Sequence, residues 1–271
     1  MEMSDEYTLQ ELMVIEAGRR ILPGETVMVG LGLPVLAATV AKLNSRQDFV
    51  FCTEIGVFDW QPDPATIARA PIGIHDLCLF PGSAMLSDMA DALGSWAHGG
   101  HTDCGFLTGA QVDRFGNVNT LAIGDYLAPE RRLGGTGGNT DIAGTAKRTI
   151  VVMSMDGRRF VERCDFITSP GYVDGAGGRQ RAGLAPQGPN VVVSTVGVFT
   201  FDTPDGGQTG SCEMVLSEVF PNVDVDTVRA MVPWTLRVAD DLKVVAPPAP
   251  QELDWLRRLD PLQMYLREGR Y

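Results

Sequence analysis

The sequence predicts an α/β fold, an open and mostly parallel sheet with flanking helices. Short apolar segments rich in β-formers alternate along the chain with segments whose apolar residues recur at helical spacing. Near the start, a strand, a glycine turn and a helix (GETVMVG, GLGLP, PVLAATVAKLN) form the first half of a βαβ unit. No internal repeat, low-complexity tract or shift in composition divides the sequence, so residues 1–271 are predicted to be one domain.

The predicted elements follow from periodicity and from the glycine, proline and asparagine residues between them. Residues 59–82 are rich in Pro and Asp and have no predicted element. Helices are predicted over 8–21, 34–44, 84–98, 142–147 and 252–259; strands over 24–30, 48–56, 104–108, 149–155, 161–167 and 190–196; a hairpin turn over 113–119; a loop over 171–188; and further short elements over 121–126, 214–220 and 224–231.

Composition and charge exclude several classes of protein. Hydrophobic residues make up 44% of the chain and charged residues 21%, which is enough to bury a full core. The 34 acidic residues against 22 basic ones give a formal net charge of -12. Because no basic patch is visible, the sequence predicts no nucleic-acid partner, and an acidic surface argues against docking onto an anionic membrane.

Location and redox state follow from the same survey. The N-terminal residues lack the basic-then-apolar pattern of a signal peptide, and no apolar run is long enough to span a bilayer. Five scattered cysteines, an odd number without a CxxC pair, are a poor disulfide framework and a poor zinc site. Reduced thiols and a cytoplasmic location are therefore expected.

Glu54 is the first candidate for chemistry. The predicted strand over 48–56 ends on this carboxylate, and open α/β sheets bind their ligands beyond the carboxyl ends of their strands. Gly56 leaves room for a substrate to approach the backbone. The same pattern fits an exposed glutamate at a strand end equally well.

Two further segments offer hydrogen-bond donors. The cluster GGTGGNTD (residues 134–141) precedes a predicted helix, so its backbone N–H groups can hold an oxyanion or a phosphate. The cluster fits neither the Walker spacing nor the dinucleotide-binding pattern, and a tight structural turn is the alternative. Gln111 carries an uncharged N–H donor that suits an oxyanion hole, although such residues more often cap or turn the chain.

In this order, the segments resemble the β subunit of class I coenzyme A transferases of the glutaconate type. The resemblance covers most of the chain from Gly24 to Asp202. It is carried by GFLTGAQVDRFGNVNTLAIGDY, RRLGGTGGNTDIAGTAKRTIVVM and RRFVERCDFITSPGY, with GETVMVGLGLPVLAATVAKL and NVVVSTVGVFTFD also in agreement. It implies the open, mostly parallel fold shared by CoA transferases and NagB-like proteins.

The resemblance also implies site residues and partners. The nucleophilic glutamate falls on Glu54, the glycine loop that holds the coenzyme on Gly135, Gly137 and Gly138, and the oxyanion donors on Gln111 and the backbone N–H of Gly138. The family works with a homologous α subunit, as a heterotetramer or hetero-octamer. It has no tightly bound cofactor and no metal, and its substrates are a coenzyme A thioester and a carboxylic acid.

The sequence departs from the family after the glutamate. Ile55 replaces a small or polar residue, and residues 57–80 resemble the pattern poorly. Because that stretch lies near the acyl pocket in the family, acyl specificity stays open. The function expected is CoA transfer between a small dicarboxylic or branched acyl-CoA and an acid through a glutamyl-CoA thioester. The alternatives are an acyl-CoA hydrolase or decarboxylase on the same fold, a non-catalytic structural subunit, and a sugar-phosphate isomerase or sensor.

Two weaker patterns concern ions. His98 and His101 flank two glycines, but two ligands without a cysteine pair do not predict zinc. Several cations near the glycine loops can bind a phosphate of coenzyme A or a substrate carboxylate, and a solvated loop is the alternative for each. They are Arg131, Arg132, Lys147, Arg179 and Arg181.

Overall fold

A computed structural model describes residues 7–45 and 48–266. Within these ranges the chain forms fifteen β-strands and six α-helices. The helices are α1 (Leu9–Arg19), α2 (Leu33–Ser45), α3 (Asn139–Thr145), α4 (Gly178–Arg181), α5 (Val225–Ala230) and α6 (Pro250–Leu259). The strands are β1 (Thr26–Val29), β2 (Val50–Cys52), β3 (Val57–Trp60), β4 (Ser83–Leu86), β5 (Cys104–Leu107), β6 (Gln111–Asp113), β7 (Val118–Asn119), β8 (Ala122–Gly124), β9 (Pro129–Arg132), β10 (Arg148–Val152), β11 (Phe160–Val161), β12 (Pro189–Val193), β13 (Gly197–Phe201), β14 (Met214–Val219) and β15 (Arg237–Val244).

The main sheet has ten strands in the order β15-β14-β13-β12-β10-β5-β1-β2-β3-β4. The five central strands from β12 to β2 all pair in parallel, whereas β13, β3 and β4 join antiparallel to their inner neighbours. The predicted open, mostly parallel α/β sheet is therefore confirmed. Because the carboxyl ends of β5, β1 and β2 share one edge, the loops that follow them meet there.

Both faces of the sheet are covered. Successive residues of a strand point to opposite faces, and on β1 Val27 and Val29 belong to one buried cluster while Met28 belongs to another. The first cluster includes α1, α2 and α6, with Leu12 and Leu256 fully buried. The other includes residues of α3 and the π-helix Ala90–Ala97. The sheet thus forms the middle layer, with helices on either side.

The helices α1 and α2 lie where helical spacing predicted them, and α1 has a clear beginning. Thr8 Oγ1 accepts the Glu11 N–H at 3.1 Å, and the Glu11 carboxylate accepts the Thr8 N–H at 2.8 Å. This reciprocal capping box satisfies two N–H groups that a helix start leaves without partners. Glu11 also accepts a hydrogen bond of 2.7 Å from Arg257 of α6, so the start of α1 is tied to the C-terminal helix.

The predicted strand over 48–56 is shorter than expected. Strand β2 ends at Cys52, and Glu54 lies in the turn that reverses the chain into the antiparallel strand β3. The turn is closed by the Thr53 N–H, which donates to Val57 O at 2.9 Å. Gly56 has φ +95°, a conformation in which a side chain would be strained. Glu54 therefore projects from a tight turn and not from the end of a strand.

Two other predictions need correction. The helix predicted over 84–98 begins late, because Ser83–Leu86 forms edge strand β4 against β3 and only Ala90–Ala97 is helical, as a π-helix. The strand predicted over 161–167 is confined to Phe160–Val161. In both cases the hydrogen bonds offered by distant segments override the local apolar pattern.

The remaining predictions reach beyond the described residues. The tail helix is present as α6, but the predicted single domain 1–271 includes residues 1–6, 46–47 and 267–271, which lie outside the described ranges. The single-domain organisation stays a prediction. No helix among the described residues is long and apolar enough to cross a bilayer. All five cysteines are within the described part and are free thiols.

Candidate active site

A cavity of about 600 Å³ opens at the carboxyl edge of the central strands. Three neighbouring strands contribute the segments that follow them: residues 30–32 after β1, Glu54 after β2 and residues 108–110 after β5. The glycine-rich segment that follows β9 forms another wall. Further lining residues are Ile72, Ile74, Thr120, Arg131, Arg132, Leu133, Gly134, Gly135, Thr136, Gly137, Asn139 and Tyr265.

The cavity brings Glu54 into contact with the glycine loop. The backbone N–H of Gly138 donates to Glu54 Oε2 at 2.6 Å. Gly138 is itself buried behind the lining, and a Cβ at this position would overlap Glu54 Oε2. Only glycine therefore lets the backbone approach the carboxylate this closely. Two residues that are 84 positions apart in the sequence thus meet at one carboxylate.

The surroundings of Glu54 raise its pKa. Burial of the half-exposed carboxylate is the largest cause, because low polarity disfavours the charged form. The Gly138 N–H opposes this by stabilising the anion, and the negative charge of Asp141 in the first turn of α3 adds to the increase. Glu54 is therefore a partly desolvated carboxylate that lines a cavity, with the Gly138 N–H bound to Oε2.

The other glycines of the loop set its path. Gly135 has φ +93°, and its N–H donates to Thr120 O at 3.0 Å, which fastens the loop to the chain after β7. Gly137 has φ +49°, and a Cβ there would lie 3.2 Å from Glu54 Oε1. Both glycines line the cavity. Their assignment as coenzyme-binding residues stays a prediction.

Gln111 does not join this group. It begins β6 in a separate three-stranded sheet and is not among the residues that line the cavity. Its Nε2 donates to Asp165 at 3.0 Å, while its Oε1 accepts from Asn119 at 2.7 Å. The amide predicted to stabilise an oxyanion is thus engaged in a local network. The strand that reaches the cavity is β5, which ends earlier, at Leu107.

The structure separates the five candidate cations. Arg179 is buried and donates to four backbone carbonyl oxygens, those of Pro170, Gly171, Ala185 and Ala143 of α3. Burial lowers its pKa to about 10. Lys147 pairs with Asp103 at 2.6 Å and Arg181 with Asp174 at 2.5 Å, both away from the cavity lining. Arg131 and Arg132 remain as the arginines of the lining.

One wall of the cavity was missed by sequence reasoning. Ile72 and Ile74 come from the Pro-rich stretch that had no predicted element, and Tyr265 comes from the segment after α6. The Tyr265 hydroxyl donates to Pro71 O at 2.5 Å and so joins the two segments across 194 residues. No local pattern announces such a contact. The only signal was the poor resemblance of residues 57–80 to the family.

The two histidines lie apart in their contacts. His98 Nε2 is 2.8 Å from Asp141 Oδ1, and the ring of His101 packs on Trp96 with centroids 5.2 Å apart. In the part of the chain that the structure describes, no three histidine, cysteine or acidic side chains gather as a metal site.

Comparison with known proteins places this geometry in a family. The family model described as Coenzyme A transferase matches residues 11–230. The β subunit of the 3-oxoadipate CoA-transferase of Pseudomonas knackmussii is 35% identical over 94% of this chain and 94% of that protein. Its counterpart in the glutaconate CoA-transferase of Acidaminococcus fermentans is 32% identical over 96% of each. The crystal structure of the glutaconate enzyme matches with a TM-score of 0.84 and 31% identity, covering 96% of this chain and 98% of that one.

The match extends over the sheet, the Glu54 turn and the glycine loop, which all lie between residues 11 and 230. Identity above 30% over nearly the whole length of both chains goes beyond a shared fold. The chain therefore belongs to the coenzyme A transferase family and is a class I enzyme of the β-subunit type.

Proposed function

We propose that this chain transfers coenzyme A between acyl groups with Glu54 as the nucleophile. The observation that carries the proposal is the position of the Glu54 carboxylate, which lines the cavity while the Gly138 N–H holds Oε2 at 2.6 Å. A carboxylate is a weak nucleophile in water, and desolvation together with fixed orientation increases its reactivity. Its raised pKa has the same cause.

The reaction proceeds through two acyl transfers. A Glu54 oxygen attacks the thioester carbonyl carbon of the acyl-CoA, the C–S bond breaks, and the thiolate of coenzyme A leaves an acyl-glutamyl anhydride. The thiolate then adds to Cδ of Glu54 and expels the first carboxylate, which leaves a glutamyl-CoA thioester. A second carboxylate repeats the two steps in reverse and departs as the new acyl-CoA. Charge and atoms balance without any other reactant.

The Gly138 N–H has a defined role in this scheme. When the thiolate adds to Cδ, the oxygen that does not carry the acyl group becomes an oxyanion. With Oε2 already bound to Gly138, the donor is in place before the charge develops, which is the condition for electrostatic stabilisation. Loss of one such donor typically costs about 3–4 kcal/mol of barrier. Gln111, whose amide is engaged with Asp165 and Asn119, would have to be released to act as a second donor.

The substrate, partner and location are carried over from the relatives. Their names specify 3-oxoadipate and glutaconate, both dicarboxylic acids, which supports a small dicarboxylic acyl-CoA over a branched one. Both relatives are named as one of two kinds of subunit, which supports a homologous α subunit in a heterotetramer or hetero-octamer. Coenzyme A then takes part as substrate, with no tightly bound cofactor. The protein would work in the cytoplasm with its cysteines reduced.

The test uses the complex of this chain with its α subunit. Incubation with succinyl-CoA followed by borohydride should reduce the glutamyl thioester, and mass spectrometry should find the modification on the peptide that contains Glu54. Glu54→Gln should lower the rate of transfer by at least about 10⁴-fold, as expected for loss of a nucleophile. Thermal unfolding of the variant complex verifies that it is folded.

The alternatives predict other results. A hydrolase releases free acid from succinyl-CoA without an acceptor, and a decarboxylase releases carbon dioxide. If this chain is a structural subunit, the α subunit alone transfers coenzyme A and Glu54→Gln leaves the rate unchanged. Transfer by the Glu54→Gln complex at the wild-type rate would show that the nucleophile lies elsewhere.

A further inference from the structure

The cavity has an excess of positive charge at one side. Its charged lining residues are Glu54, Arg131 and Arg132, whereas the whole chain carries a formal net charge of -12. We infer that Arg131 and Arg132 form a binding site for an anionic group of the substrate. The inference rests on the proposed function in that the substrate is a coenzyme A ester, and it assigns a second part of that ligand to named residues.

The position of the two arginines follows from the hairpin of β8 and β9. Arg132 is paired with Ala122, and Arg131 with Ile123. The hairpin is continued by the Leu133 N–H, which donates to Leu121 O at 3.0 Å, and by the Gly135 tether to Thr120. One fastened segment therefore carries both the arginines and the glycine loop that contacts Glu54.

The chemistry of the site selects an anion. Both arginines are exposed at the mouth of the cavity, so each guanidinium keeps contact with water and can meet an anion that enters. Arg132 uses Nη2 to donate to Tyr126 O at 2.7 Å and stacks on the Tyr126 ring with its Cζ 4.8 Å from the centroid, which orients its planar fork. Such a fork matches a carboxylate or a phosphate in bidentate geometry.

Two groups of the ligand have this chemistry. One is the distal carboxylate of a dicarboxylic acyl group, and the other is a phosphate of coenzyme A. Neighbouring residues of a strand point to opposite faces, so the two arginines need not contribute equally. Single variants therefore separate their contributions, and a comparison of two acyl groups separates the two anions.

The experiment measures equilibrium binding and steady-state kinetics on the complex with the α subunit. Arg131→Gln, Arg132→Gln and the double variant are compared with wild type, using succinyl-CoA, which carries a distal carboxylate, and butyryl-CoA, which does not. Loss of a charge-assisted contact should raise the KM of the double variant about 10- to 100-fold. Arg181→Gln is the matched control, since it removes a surface arginine paired with Asp174 outside the cavity.

The outcomes separate the sources. A rise for succinyl-CoA alone assigns the distal carboxylate, and an equal rise for both esters assigns a phosphate. Either result supports the site, whereas unchanged KM values for both esters in the double variant overturn it. If the glutamine variants unfold, Arg131→Lys and Arg132→Lys keep the charge without the fork and should show a smaller rise of the same pattern; wild-type KM values would then overturn it.

This test is independent of the chemistry at Glu54. Binding of both esters is measured by titration calorimetry in the Glu54→Gln background, in which no covalent step occurs. Failure of the proposed nucleophile therefore leaves the binding comparison intact, and failure of the arginine site leaves the glutamyl adduct intact.

Discussion

Two buried carboxylates, Glu54 and Asp113, lie in two tight turns of the same protein and differ in how they are satisfied. Burial raises the pKa of both. Asp113, which is 1% exposed, accepts hydrogen bonds from the Asn117 side-chain amide and from the backbone N–H groups of Phe115, Asn117 and Cys164. Glu54 lines a cavity and, within the described part of the chain, accepts the N–H of Gly138.

The difference shows how one residue type can serve the fold in one place and chemistry in another. The donors around Asp113 occupy both of its oxygens, so the carboxylate fixes the hairpin of β6 and β7 and the segment after β11. Glu54 keeps an oxygen facing a space that a substrate can enter. A carboxylate with few donors in a cavity is costly for stability and is typical of a functional site.

The largest effect on the fold is expected from Asp113→Ala. Removing the acceptor leaves several buried N–H groups without a partner, and we expect about 3–5 kcal/mol of lost stability. Urea unfolding measures it, with Asp63→Ala as the control, because Asp63 also caps a turn but is exposed and should change little. The comparison breaks if Asp113→Ala remains stable and instead loses transfer.

Gly138→Ala should come next and should act on the rate. The added Cβ overlaps Glu54 Oε2, so the carboxylate must turn away and lose the N–H contact. A displacement of this size at a nucleophile costs about 100-fold in kcat. Gly144→Ala is the control on the adjoining helix α3, where the Cβ meets only Leu184 Cδ2 at 3.6 Å. Equal rates for the two variants would remove Gly138 from the mechanism.

The smallest effect is expected from Asp141→Asn, which sharpens the electrostatic half of the comparison. The charge of Asp141 raises the pKa of Glu54, so its removal should lower that pKa. Because the nucleophile must be ionised, activity is lost as the pH falls through the Glu54 pKa. The acid limb of the kcat/KM profile should therefore move to lower pH in the variant. Asp174→Asn, at a surface ion pair, should leave the limb in place.

The sequence by itself determined the elements that neighbouring residues encode. The alternating faces of β1, the helical spacing in α1 and α2, and the capping pair of Thr8 and Glu11 all depend on residues a few positions apart. Long matching segments also identified the family, and with it Glu54 and the glycine loop as candidates. The predictions of elements succeeded because periodicity and turn chemistry are local properties of the chain.

Only the tertiary structure decided which of the candidate groups meet. It joined Glu54 to Gly138, engaged Gln111 with Asp165 and Asn119, and retained Arg131 and Arg132 at the cavity while burying Arg179 among backbone carbonyls. It also turned residues 83–86 into an edge strand. The physical reason is that these contacts join residues from 8 to 84 positions apart, and their geometry depends on how sheet and helices pack.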